Sequence, residues 1–288
     1  NALGQLGVGD TIDRFEPTLV DNLSVTTVTC GFHHTLCIDT SGQVWSFGKN
    51  EYGQLGLGDT RNRTLPEHIA SLHNIISVAA GLEHSVFLNE AKQAFLAGKK
   101  LGKSSEKRVK KPQRIKHVEN IEAIASGSFH VLILTEQKEI YGIGSNGHLQ
   151  LGVRNYGQFS EPTKLYWSKE LESTYPVAIL CGYTHGIVID SSGSIWTFGN
   201  NKQNQTGTKV CVPTKLKDVT SITDCSSGGN HVLIKNTEGE IWAWGACEAG
   251  QIGQRKDHDK PERFDPQYDF IIGRSSKYKA KSVRKVVQ

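Results

Sequence analysis

The chain has 288 residues, with 33 Lys and Arg against 29 Asp and Glu and a formal net charge of +4. No stretch approaches the about eighteen apolar residues of a membrane-spanning helix, and no charged-then-apolar leader opens the chain. Six cysteines without a Cys-x-x-Cys pair give neither a disulfide framework nor a zinc site, so the composition is that of a globular domain of cytoplasm or nucleus.

In chain order, the first β-like segment is Val25-Thr26-Thr27-Val28-Thr29-Cys30, followed by Gly31-Phe32-His33-His34. The apolar run Thr35-Leu36-Cys37-Ile38 is too short for a helix and reads as a strand. Asp39-Thr40-Ser41-Gly42 then supplies a hairpin turn whose glycine accepts positive φ, and Val44-Trp45-Ser46-Phe47 returns as a second strand ending at Gly48.

This block recurs five times. His34, His84, His130, His185 and His231 stand fourteen positions before Gly48, Gly98, Gly144, Gly199 and Gly245, and each is led by its own glycine at Gly31, Gly81, Gly127, Gly182 or Gly228. A further eight positions lead from Gly48, Gly144, Gly199 and Gly245 to Gly56, Gly152, Gly207 and Gly253, an element the second unit lacks. Strands of the same kind are expected at Ile75–Ala79, Val131–Leu134, Ile140–Ile143, Val177–Leu180, Ile195–Phe198, Val232–Ile234 and Ile241–Trp244, with a fourth near Pro17, Pro66 and Pro162. A repeat of this length, holding about four strands, buries its faces only against its neighbours, as a β-propeller or as a row of stacked β-units.

Two stretches break the pattern. Lys99, Lys100, Lys103, Lys107, Arg108, Lys110, Lys111, Arg114 and Lys116 face only Glu106 between positions 99 and 117, where the missing Asn-x-x-Gly-Gln-Leu-Gly element belongs, so a solvated loop is expected there. Such a loop also suits nucleic acid or an acidic protein face. The segment from Tyr166 and Trp167 to Pro176 fills the longest interval and offers aromatic anchors for a protein partner. The tail from Gly273 carries six more bases and no acid, and Ser276 stands where a sixth motif histidine belongs. Residues 1–253 are therefore read as repeats and 254–288 as a degenerate or shortened further unit.

Asn50-Glu51-Tyr52-Gly53-Gln54-Leu55-Gly56-Leu57-Gly58-Asp59, its echo Asn1-Ala2-Leu3-Gly4-Gln5-Leu6-Gly7-Val8-Gly9-Asp10, and the Gly31-to-Gly48 block resemble the regulator of chromosome condensation repeat. The resemblance implies an all-β propeller of seven four-stranded blades, of which five to six are present here. It implies a monomeric interaction surface; in the founding member, that surface is an exchange factor for the small GTPase Ran and docks on nucleosomes. The chain starts inside a motif that is mid-unit elsewhere and has no methionine, as expected of a segment of a longer protein. A plant ultraviolet-B photoreceptor of this fold carries tryptophans after the motif glycine; here those positions are Phe32, Leu82, Ser128, Tyr183 and Gly229, which sets photoreception aside.

The five phased histidines invite a catalytic or metal reading, but equivalent positions on successive units do not converge on one ion. They and the motif glycines are read as structural, each imidazole hydrogen-bonding a backbone group of its own or the next blade. Gly53–Asp59 lacks the Lys-Ser/Thr ending of a phosphate loop. No catalytic residue, cofactor or metal is expected. The functional expectation is a non-catalytic protein-interaction propeller within a larger protein, with exchange on a Ran-like GTPase and chromatin docking as alternatives.

Overall fold

The computed structural model describes residues 1–102, 107–165, 174–208, 212–217, 219–252 and 258–264. Twenty strands form five antiparallel four-stranded sheets, each running in chain order, and no helix occurs among the described residues. One compact unit holds β1 (Val25–Cys30), β2 (His34–Asp39), β3 (Val44–Gly48) and β4 (Arg63–His68); then β5 (Ile75–Ala80), β6 (His84–Asn89), β7 (Ala94–Lys99) and β8 (Arg108–Arg114); then β9 (Ile121–Ser126), β10 (His130–Thr135), β11 (Ile140–Ser145) and β12 (Gln158–Lys164). A second unit takes residues 148–154 with β13 (Pro176–Cys181), β14 (His185–Asp190), β15 (Ile195–Gly199) and β16 (Thr214–Lys215), and β17 (Ile222–Ser227), β18 (His231–Asn236), β19 (Ile241–Gly245) and β20 (His258–Phe264).

The fourteen-residue spacing is the register of one hairpin: His34 faces Gly48, His84 faces Gly98, His130 faces Gly144, His185 faces Gly199 and His231 faces Gly245. The partner must be glycine. At Gly98, φ is +102° and a Cβ would lie 2.4 Å from the Glu83 carbonyl oxygen, and the four equivalents meet the same obstruction. The leading glycine serves the imidazole itself, since a Cβ at Gly81 would sit 2.2 Å from the His84 ring.

Three of the rings, within their own unit, reach the following blade. His34 Nε2 lies 2.9 Å from Ser85 Oγ, which donates in turn to the Gln54 carbonyl at 2.6 Å, so the imidazole is the donor to the serine. His84 contacts Ser126 Oγ at 2.8 Å, and within the second unit His185 contacts Ser227 Oγ at 3.0 Å. These three partners are serine hydroxyls and not the backbone groups expected. Burial holds His34 neutral, its pKa pushed down to about 4 with help from His33, and drives His84 down to about 3, with His34 and His130 adding to the effect.

Blades pack face to face. In β6, Val86 and Leu88 join Val131 and Ile133 of the third sheet, while Phe87 on the opposite face joins Leu36 and Ile38 of the first. Ile187, Ile189, Val232, Ile234 and Trp244 build the corresponding layer of the second unit. A central strand covered on both sides reads as a continuous apolar run, as these sequences do.

Three expectations need correction. The 99–117 run is only partly a loop: residues 108–114 form β8, with Val109 buried, because the outer strand of a blade needs one inward side chain and tolerates lysines elsewhere. Pro66 and Pro162 lie in β4 and β12, but Pro17 lies in no strand. The boundary after residue 253 cuts the fifth sheet, whose fourth strand β20 pairs with β19 through Ile241 and Phe264. The sixth-unit reading at residues 271–276 falls outside the described residues.

Candidate interaction surface

In the first unit, the Gly-x-x-His loops are strung together by backbone bonds, Phe32 N–H to Gly81 O at 3.3 Å and Leu82 N–H to Ser128 O at 3.1 Å. The motif thus consumes its glycine and histidine in structure. Its two middle positions are free to vary: Phe32-His33, Leu82-Glu83 and Ser128-Phe129. Phe32 is 52% exposed and Phe129 37%, on loops anchored at both ends.

Beside them a cation–aromatic cluster assembles from three blades. Lys99, the last residue of β7, places Nζ 3.0 Å from Glu83 Oε2, 4.9 Å from the Tyr52 ring centre and 5.3 Å from that of Phe129. Lys49 lies 3.7 Å from the same Glu83, 3.2 Å from Glu51 and 5.8 Å from the Tyr52 ring, and Arg108 stands 5.8 Å from that ring. Glu83 is the hinge of the group: two ammonium groups share it, and both are held over Tyr52. Each such cation–ring contact contributes about 0.5–1 kcal/mol at an exposed site, enough to order long side chains without hiding their charge. An adjoining cavity of about 260 Å³ is lined by Lys99, Lys100, Leu101, Gly102, Phe129 and Ser145, with Gln158 at its edge.

The sequence-expected residues divide accordingly. Lys99 and Arg108 belong to this cluster. Lys100 lies in the turn after β7, Lys107 precedes β8, and Lys110 and Lys111 are exposed on β8; none of these four has a carboxylate partner among the described residues. Lys103, Tyr166 and Trp167 lie outside the described residues. Lys49, Tyr52, Glu83 and Phe129 were missed, although the two variable positions inside an otherwise fixed motif marked two of them, Glu83 and Phe129. Among the described residues, no grouping of His, Cys, Asp and Glu could hold a metal ion. Burial raises the Cys37 thiol to about 11 and Cys225 to about 12, which suits packing and not nucleophilic chemistry.

The family model of the RCC1-like domain matches residues 1–284. The chain belongs to the RCC1-like domain family. Its fold is accordingly the all-β propeller of regulator-of-chromosome-condensation-type blades, five of which are described. It is 29% identical over 267 residues to the ultraviolet-B receptor UVR8 of Arabidopsis thaliana, covering 87% of this chain and 60% of that protein. It is 27% identical over 278 residues to the mouse secretion-regulating guanine nucleotide exchange factor (92% and 50%), and 31% identical over 258 to the human probable E3 ubiquitin-protein ligase HERC6 (84% and 20%). The chain therefore spans 20–60% of the length of these relatives. Among solved structures, Prp20p of Saccharomyces cerevisiae superposes with a TM-score of 0.74 at 20% identity, over 84% of this chain and 63% of that one. Human WBSCR16 gives 0.73 at 21%, over 85% and 68%.

Proposed function

We propose that this chain is a non-catalytic protein-interaction propeller that engages its partner through the loop surface around Tyr52. The observation that carries the reading is the Lys49–Tyr52–Glu83–Lys99–Phe129 cluster. It presents aromatic and cationic side chains, the residue classes enriched where protein interfaces gain their binding energy, on a backbone held rigid by the repeat. The same residues contain no nucleophile–base pair, so the surface suits recognition better than covalent chemistry.

A second reading is exchange on a small GTPase. Its support is the similarity, across 92% of this chain, to a mouse protein named as a guanine nucleotide exchange factor, and to Prp20p, whose structural report names binding to Gsp1p and histones. Exchange needs no covalent step from the protein, only differential contact with the nucleotide-bound and free states. Chromatin docking through the unpaired lysines is a third outcome of the same experiment. The purified chain is titrated with fluorescent-nucleotide-loaded small GTPases and with nucleosomes, in parallel with Tyr52→Ala and Lys99→Glu. We expect no accelerated nucleotide release, whereas release that disappears in both variants would replace the first reading by the second.

A further inference from the structure

A slot between the second and third blades is open because one connection is short. From Gly48 to its cross-strand partner Arg63 the chain takes fifteen steps, and from Gly144 to Phe159 fifteen; from Gly98 to Val109 it takes eleven. The short connection keeps one contact of the family loop. Gly53 packs on the Lys110 backbone of the following blade, and Gly102 packs in the same way on Phe159 and Ser160. The connection as a whole is four residues shorter.

In the long connection, Gly56 continues into the gap between blades, where a Cβ would meet Pro112 at 3.2 Å and Ile69 at 3.5 Å. Gly207 does the same in the second unit, between Pro261 and Leu216. Ile115 occupies the station of Ile69, since each donates its N–H to the first residue of the third strand, Ala94 or Val44. Pro162 occupies the station of Pro112, three residues after the partner of the hairpin glycine. Between Ile115 and Pro162 no glycine stands among the described residues. A cavity of about 270 Å³ lies there instead, floored by Leu96, Leu101, Val109, Ile115 and Ile143.

The rim selects the occupant. Lys100, Arg114 and Lys116 surround the slot, with Glu161 as its acid. Arg114 spends its charge on Glu119, but both partners are exposed and such a pair is readily exchanged. Lys107, Lys110 and Lys111 extend the positive edge along β8. A backbone handle is present too. In the filled gap, Gly58 N–H donates to Lys110 O at 2.8 Å, and Gly9 N–H donates to Thr64 O at 2.9 Å; Ser160 holds the corresponding place on β12 and lines the slot.

We propose that this slot receives an extended acidic segment of a partner polypeptide: an aliphatic side chain on the apolar floor, a backbone N–H on Ser160 O, and carboxylates on Lys100, Arg114 and Lys116. The segment replaces the stretch of loop the second unit lacks, a form of strand-edge recognition in which backbone bonds give affinity and side-chain pockets give specificity. The site uses none of the Tyr52 cluster, so it stands or falls separately from the proposed function.

The test is fluorescence anisotropy of the full chain with a fluorescein-labelled hexapeptide, two leucines flanked on each side by acidic residues. Binding should weaken at least about tenfold in Lys100→Glu/Lys116→Glu, with a peptide whose leucines are serines, and in a graft that replaces residues 100–108 by a copy of residues 50–62. The graft should melt no lower than the parent, because it refills the gap, and the exposed lysine variant guards against a graft that fails to fold. Tyr52→Ala should bind the peptide unchanged. The proposal is overturned if the unaltered chain does not bind, if the folded graft binds as well, or if the serine peptide or a single-stranded oligonucleotide competes equally.

Discussion

The connections that follow the first and second hairpins do the same topological job with opposite chemistry. The long one is a self-supporting scaffold: Asn50, fully buried, accepts from Leu55 N–H at 2.9 Å and donates to Asp59 Oδ1 at 3.1 Å, Gln54 accepts from Tyr52 N–H at 3.0 Å, and Arg63 clamps Asp59, holding its carboxyl well below the usual range. The short one keeps Leu101 and Gly102 packed and gives its remaining described positions to exposed lysines. The difference teaches that the family loop has a docking half and a filling half. The blade survives loss of the second, and its removal leaves a basic edge above an apolar slot.

The sharpest way to break this comparison is at the docking glycines. Gly102→Ala, whose Cβ would lie 2.0 Å from Phe159 O at φ +75°, and Gly53→Ala, 2.8 Å from the Lys110 Cα at φ +84°, should each cost about 3–5 kcal/mol by urea denaturation. A neutral Gly102→Ala would show that the short connection does not dock at all.

A next-largest effect is common to both connections, because the histidines beneath them are neutral when folded. Burial lowers His34 to about 4 and His84 to about 3, so the unfolded chain binds more protons than the folded one below the ordinary histidine pKa of 6.5. Stability is complete above that value and falls with pH, by about 1.4 kcal/mol per unit for each histidine, down to the folded values. Urea midpoints between pH 7 and pH 5 read this directly, and a flat profile would mean the rings are solvated. Ser85→Ala should follow at about 1–3 kcal/mol, since it strands His34 and the Gln54 carbonyl together. The smallest effects separate the two connections: Asn50→Ala should cost about 1–3 kcal/mol and Lys100→Ala less than about 0.5, each measured by thermal melting. Equal costs would remove the distinction between scaffold and basic edge.

The hairpins were legible because their register is local. A fixed separation of His34 and Gly48 can arise only if both stay opposite each other across one turn. β8 was misread because Val109 is its one buried residue among Arg, Lys, Gln and Pro, which hides the strand alternation. Tyr52 and Lys99 lie on different blades, and nothing within either unit says that they meet. The slot was half legible: the lack of a glycine eight positions after Gly98 was visible, but not that Ile115 and Pro162 would be left facing the space that glycine fills elsewhere. A missing residue carries no chemistry of its own until the neighbours it would have touched are in place.

The most direct test of the interaction surface is site-specific photo-cross-linking in cells. A photoreactive phenylalanine analogue is placed at Phe129, beside the Lys99 cluster, or at Tyr156, which is 71% exposed in the same compact unit and contributes nothing to that cluster. The account predicts one discrete polypeptide adduct from position 129, lost when Tyr52→Ala and Lys99→Glu are introduced, and none from position 156. Equal adducts from both positions, or an adduct from 129 indifferent to the two substitutions, would contradict it.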